Sequence, residues 1–236
     1  MASFLAPPAK NFMAPDLARI LFFHLPCAIL SSLWIIASGL FGFQWLRTRK
    51  RIWDHRLAAA IEITNILALL TLLTGIIFSK VQWGAWWSWD PRQTSFLFVQ
   101  LLLLAGWALR AAIADDQRRA DVSASYAVMT LLPTLFLIFV LPRLPQMLNG
   151  GSLHPSTTLQ RSEMDATYRT IFISALVTVG WMVWELYDLR IRISSAHYAL
   201  DHAHGQLEMD RNGAASPRVV RPLSQPENQP ESTQKH

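Results

Sequence analysis

Apolar residues run along this chain in blocks too long for the core of a water-soluble domain. Ile20 to Leu46 is a 27-residue run without Asp, Glu, Lys or Arg, and about 20 apolar residues suffice to cross a hydrocarbon layer of about 30 Å. Four more blocks follow. They are Leu57 to Ser79, interrupted by one acid, Glu62; Gln93 to Leu109, extended by Ala111 to Ala114 past a snorkelling Arg110; Val122 to Pro142; and Thr170 to Trp184, a shorter stretch bracketed by Tyr168 and Tyr187 as interfacial residues. The pattern predicts an all-α fold, a polytopic membrane bundle of five transmembrane helices. From about Gly205 the chain is polar, carries Pro217, Pro222, Pro226 and Pro230, and has little apolar surface to offset the entropy of ordering. Residues 1–190 thus read as the transmembrane domain and 191–236 as a tail, largely disordered from about residue 205. No internal repeat of fixed period is present.

Composition supports this reading: 52% of the 236 residues are hydrophobic, 16% are charged, and the mean hydropathy is +0.24. That balance excludes a disordered polymer and argues against an ordinary soluble domain. The single cysteine, Cys27, rules out an internal disulfide, a CxxC metal or redox pair and a CxxCH haem-attachment site. The net charge of +5 would suggest nucleic acid in a soluble protein; in a membrane protein it must be sorted by side, and no nucleic-acid partner is needed to account for it. Basic residues number five between the first two helices, three between the third and fourth, and six in the tail. The N-terminus has two, the connection between the second and third helices two, and that between the fourth and fifth three, so the division is 14 to 7. The positive-inside tendency places the richer side, with the tail, in the cytoplasm and the N-terminus outside. The segment ahead of the first helix lacks a basic n-region and a small-residue cleavage site, so the first helix is expected to stay as an anchor.

The most unusual segment lies in the short outer connection between the second and third helices. Trp83-Gly84-Ala85-Trp86-Trp87-Ser88-Trp89-Asp90-Pro91-Arg92-Gln93-Thr94 places four of the ten tryptophans within seven residues. Helical turns there would put Trp83, Trp86, Trp87 and Asp90 on one face, with Pro91 ending the turn. An aromatic belt at the membrane interface is the plain alternative.

This string resembles the WWD signature of the haem-handling proteins of cytochrome c maturation, typically WGTWWxWDxRLT, with Ala85 in place of Thr and Gln93 in place of Leu. Arg19-Ile20-Leu21-Phe22-Phe23-His24-Leu25-Pro26 is similar to the R-I-x-x-x-H-x-P start of a helix in the same proteins. Glu62, Thr74-Gly75 and Lys80 fall where they carry an acid, a TG pair and a base. The resemblance covers about residues 17–190 and points to the haem exporter protein C (CcmC) family. It implies a multi-pass protein of the bacterial inner membrane, for which the charge count on five spans sets the N-terminus periplasmic and the C-terminus cytoplasmic. Such a protein binds haem b non-covalently at the periplasmic face and presents it to a haem chaperone, as a handler and not a bond-making enzyme. The partners implied are the chaperone CcmE, the ATP-binding-cassette subunits CcmA and CcmB, the small membrane subunit CcmD and the surrounding lipids. The family usually has six spans, and a helix ahead of the R-I-x-x-x-H segment has no counterpart here.

The residue types of the loop suit that cargo. Haem is a flat apolar macrocycle with two propionates, so a surface site needs aromatic planes and cationic or hydrogen-bonding groups. Trp83, Trp86, Trp87 and Trp89 beside Asp90, Arg92 and Lys80 supply both. Arg92 has two readings of equal weight, a propionate partner or a partner of Asp90 that holds the loop.

Axial ligands to haem iron are commonly histidines. Span counting and charge place His24 and His154 on the face that carries the tryptophan loop, and the His-x-Pro context supports His24. Leu153-His154-Pro155 keeps the family's Leu-His-Pro, whereas residues 143–152 lack the tryptophans usual before it and contain Asn149-Gly150-Gly151. His55 falls on the opposite side and reads as a solvated loop residue; His197, His202 and His204 read as a solvated segment, and His236 is terminal. Glu62 is costly in lipid and should face the bundle interior, either pairing helices or serving the haem path. Two other classes use related features: the larger haem lyases of cytochrome c synthesis, and b-type cytochromes, which hold paired histidines inside the bundle.

Overall fold

A 3-10 turn over Leu17–Ile20 runs straight into α1 (Leu21–Thr48), both flanking residues of the junction being right-handed helical. The computed structural model describes residues 16–144 and 166–215. After α1 come α2 (Arg51–Trp83), α3 (Pro91–Ala111), α4 (Asp116–Leu135) and α5 (Ala166–Ala215). α4 continues through a π-helical turn over Phe136–Val140 and a 3-10 turn over Leu141–Arg143. Pro133 and Pro142 remove backbone donors there, which accounts for the change of helical type. Five helices are long and apolar enough to cross a membrane, and no strand occurs among the described residues.

The helix margins depart from the hydropathy pattern in one direction. The charged stretch 47–56 reads as a loop, yet only Arg49 and Lys50 separate α1 from α2. Arg49 takes a left-handed conformation (φ 55°) and donates its backbone N–H to the Trp45 carbonyl at 2.9 Å. Charge does not break the helix at Arg51 and Arg56, because each has an aromatic neighbour: Arg51 lies over the Trp45 ring at 5.2 Å and Arg56 over Trp53 at 4.8 Å. α4 likewise starts six residues before Val122, because Asp115 caps it by accepting from the Arg118 backbone N–H at 2.7 Å. α5 is helical through Ala215, past the point near residue 205 from which polar composition predicts disorder; residues 216–236 lie outside the described residues.

The chain forms two compact units, Met1–Ser195 and Ala196–His236. In the first, α1 packs on α2 and α4, and α3 packs on the same two helices, closing a four-helix ring. Gly42 permits the close approach of α1 to α4, since a Cβ there would lie 2.9 Å from the Ala124 carbonyl oxygen. Within the ring is a cavity of about 40 Å³, lined in part by Ser38, Thr64, Ser123, Tyr126, Thr130 and Thr134. The first part of α5 packs through side chains. Val183 and Tyr187 join Cys27, Trp34 and Ile63 in one apolar cluster, and Tyr168 and Phe172 enclose Phe22 in another.

Polar interlocks hold the end of the bundle where α1 turns into α2. Trp45 donates its indole N–H to Asp121 at 2.9 Å, and Arg49 pairs with the same carboxylate. Asp54 is buried against Arg110 at 2.8 Å. His55, read from sequence as a solvated loop residue, is instead buried in α2, with Nδ1 2.8 Å from the Ser194 hydroxyl. Helical continuation through Arg51–Arg56 turns that ring inward. In the second unit His197, His202 and His204 are exposed, and His202 meets the Tyr198 ring edge-on at 4.1 Å.

Candidate functional site

The tryptophan loop is defined by how two helices stop and start. α2 ends at Trp83 because Gly84 adopts a left-handed φ of 78°, its N–H returning to the Lys80 carbonyl at 3.1 Å. The Lys80 ammonium also caps this end, donating to the Gly84 carbonyl at 2.9 Å. α3 starts at Pro91, where the missing N–H is harmless. Asp90 is its cap: the buried carboxylate accepts from the Arg92 backbone N–H at 2.9 Å. The seven residues between are not helical, so the helical face that would group Trp83, Trp86, Trp87 and Asp90 does not form.

What forms instead is a pinned loop. Gln93 is buried and its Oε1 accepts from both the backbone N–H and the hydroxyl of Ser88, at 3.1 and 2.9 Å. Ser79 donates to the Ala85 carbonyl at 2.8 Å. Gln93 is one of the two departures from the family pattern, and only the structure reveals it as a clamp on the loop.

The four tryptophans separate by environment. Trp83 packs edge-on against Phe78 at 5.5 Å, and Trp87 is half-buried, edge-on to Trp89 at 5.9 Å. Trp86 and Trp89 are the exposed pair, at 58% and 75%. Lys80 lies 5.8 Å from the Trp86 ring centre. Trp89 is held at a φ of 55°, a left-handed conformation that costs a bulky side chain energy and persists only where the surroundings impose it. At the loop base, the Trp87 indole N–H, the Gln93 amide nitrogen and the Thr94 hydroxyl are buried without a partner among the described residues. Such atoms leave hydrogen-bonding capacity unmet.

Arg92 is half-buried. The Asp90 carboxylate contacts its backbone, and among the described residues no carboxylate lies in ion-pair contact with its guanidinium. Two charges of opposite sign reach Arg92 electrostatically, Arg143 at the end of the 3-10 turn packed against α3, and Asp90. Arg143 is absent from the sequence-derived candidates, since nothing local links a residue after the fourth span to the loop before the third.

His24 lies within α1, two residues before Pro26. It is next to α2, Nδ1 being 3.0 Å from the Thr74 hydroxyl. Gly75 adjoins it, a Cβ there falling 3.1 Å from the imidazole Cε1. Thr74 precedes Trp83 by nine residues, about 14 Å along a helix, so His24 is level with a point below the loop and not with its tip. His154 lies outside the described residues. Exposed aromatic planes, a half-buried guanidinium and an imidazole nitrogen are the donor set that a carboxylate-bearing, iron-centred macrocycle requires, so the residues present fit haem.

The sequence profile described as heme exporter protein C matches residues 1–202. Among curated relatives, the "Heme exporter protein C" of Rhodobacter capsulatus is 32% identical over 157 residues, covering 66% of this chain and 62% of that protein. That of Paracoccus denitrificans is 29% identical over 170 residues, covering 70% of this chain and 67% of the relative. That of Escherichia coli strain K12 is 28% identical over 152 residues, covering 64% and 60%. The chain therefore spans about 60 to 67% of the length of these relatives.

Proposed function

The chain belongs to the haem exporter protein C (CcmC) family, and from that premise we propose that it is a haem-handling membrane protein of c-type cytochrome biogenesis. It binds haem b non-covalently at the periplasmic face of the bacterial inner membrane and presents it to the haem chaperone CcmE. It works as a handler beside CcmA, CcmB and CcmD, and makes no bond to its cargo. The N-terminus is periplasmic and the tail cytoplasmic.

The observation that carries the reading is the pinned loop that keeps Trp86 and Trp89 exposed above a capped helix start. In a protein held together by apolar packing, two large exposed rings on a strained loop suit a flat ligand better than they suit the fold's own needs. Trp86, Trp87 and Trp89 offer planes and edges to the macrocycle, Trp83 and Asp90 hold the loop between its two helices, and Arg92 faces a propionate. His24 and His154 are the axial ligands to iron. Haem supplies the redox-active iron and the propionate charge; this chain supplies position and release.

An absorption spectrum of the detergent-purified protein, as isolated and after dithionite, together with a haem-to-protein ratio, tests the proposal. A six-coordinate low-spin spectrum near one haem per chain is expected. His24→Ala and His154→Ala should each abolish it, and added imidazole should restore it by filling the vacancy. Absence of haem after reconstitution refutes the reading. A native spectrum in His154→Ala moves the second ligand elsewhere.

A further inference from the structure

We propose that Thr74 is a positioning residue for haem-iron ligation: its hydroxyl oxygen accepts a hydrogen bond from His24 Nδ1–H and so fixes the imidazole as the tautomer whose lone pair is on Nε2. The inference rests on His24 being an axial ligand.

The proton count decides the direction of the contact. A threonine hydroxyl has one proton to donate. The Thr74 oxygen lies 2.6 Å from the Leu70 carbonyl and 3.2 Å from the Thr71 carbonyl, and carbonyls only accept. If the Thr74 proton pointed elsewhere, two oxygen lone pairs would confront each other at 2.6 Å. The proton therefore goes to the helix backbone, and the remaining contact, His24 Nδ1 at 3.0 Å, must be donated by the imidazole. A neutral imidazole with its proton on Nδ1 presents an acceptor at Nε2, the form required for binding a metal.

Gly75 completes the cradle. With a Cβ at 3.1 Å from Cε1 and 3.7 Å from Nδ1, an alanine would push on the ring just where the hydrogen bond needs it. Thr74 supplies the acceptor and Gly75 the gap, on adjacent positions of a rigid helix. Outer partners of this kind orient a ligating histidine and raise its basicity. His24 is thereby a ligand set in place before cargo arrives.

The test uses the full-length protein in detergent, titrated with ferric haem, with affinity, absorption spectrum and midpoint potential as readouts and a thermal melt as the folding control. Thr74→Val keeps shape and removes the acceptor. It should weaken haem binding about 10-fold and raise the midpoint potential, since a less basic ligand stabilises ferric iron less. Thr74→Ser should retain wild-type values for both, and Gly75→Ala should weaken binding. In a His24→Ala background with added imidazole, Thr74→Val should have no further effect, because the exogenous base does not depend on Thr74. Wild-type affinity and potential in Thr74→Val, with His24→Ala defective, overturn the positioning role alone. A native spectrum in His24→Ala overturns the ligand assignment and this role with it.

Discussion

Arg190 grips both carboxylate oxygens of Glu62, Nε at 2.5 Å and Nη2 at 2.7 Å, joining α5 to α2 across 128 residues of chain. Two charges that would each be costly in a hydrocarbon layer meet in the fork geometry arginine favours. The acid inside the second apolar block thus has a helix-pairing role, and the partner is a residue that lies beyond the apolar part of α5.

Loss of either partner leaves the other charge uncompensated. Glu62→Ala and Arg190→Ala should each lower the melting temperature in detergent, and the double variant should be less affected than their sum. The coupling expected from a double-mutant cycle is about 0.5–3 kcal/mol. Strict additivity would show that the pair contributes nothing as a pair.

Asp54 and Arg110 are buried more deeply, their side chains 6% and 14% exposed. Removing one partner of such a pair typically costs about 3–5 kcal/mol. Asp54→Ala should therefore destabilise the bundle more than Glu62→Ala does, as read by thermal unfolding.

The tryptophan loop separates binding from folding. Trp86→Ala and Trp89→Ala should each reduce haem occupancy with little change in melting temperature, since both rings are exposed and stacking contributes about 0.5–1.5 kcal/mol per aromatic pair. Asp90→Ala should cost about 1 kcal/mol of stability through the lost cap of α3. Unchanged occupancy in the double tryptophan variant would return the loop to the role of an interfacial belt.

His55 should prove structural. His55→Ala removes a buried ring bonded to Ser194 and should lower stability by about 1–3 kcal/mol. The haem spectrum should be unchanged. A shifted Soret band in this variant would contradict the proposed ligation by His24, at the other end of α1.

Orientation is checked by thiol labelling in a Cys27→Ala background. Cysteines introduced at Ser88 and Ser156 should react with an impermeant reagent in intact cells, and one at Thr48 should not. Reaction at Thr48 would invert the topology.

The five spans are legible because an uncharged run of membrane length seldom occurs in a chain that stays in water. Their margins are not. Arg51 and Arg56 resemble a loop on hydropathy, yet each lies on a tryptophan ring, an arrangement that only the folded helices create. His55 appears solvated for the same reason. The residue types of the tryptophan loop are plain from the sequence, whereas its shape depends on Gly84 ending α2, which moves Trp83 out of register with Trp86 and Trp87. Pairs such as Glu62 with Arg190, or His24 with Thr74, are set by helix packing and leave no local trace.

In the cavity enclosed by α1 to α4, every lining hydroxyl already gives its proton to a backbone carbonyl: Ser38 to Trp34, Thr64 to Ala60, Ser123 to Arg119, Tyr126 to Leu102, Thr130 to Tyr126 and Thr134 to Thr130. Hydroxyls so committed can only accept, and Ile35, Ile61, Leu103, Ala127 and Leu131 make most of the rest of the lining apolar. At about 40 Å³ the cavity has room for about one water, which would enter as a donor. A molecule much larger than a water has no room in this interior.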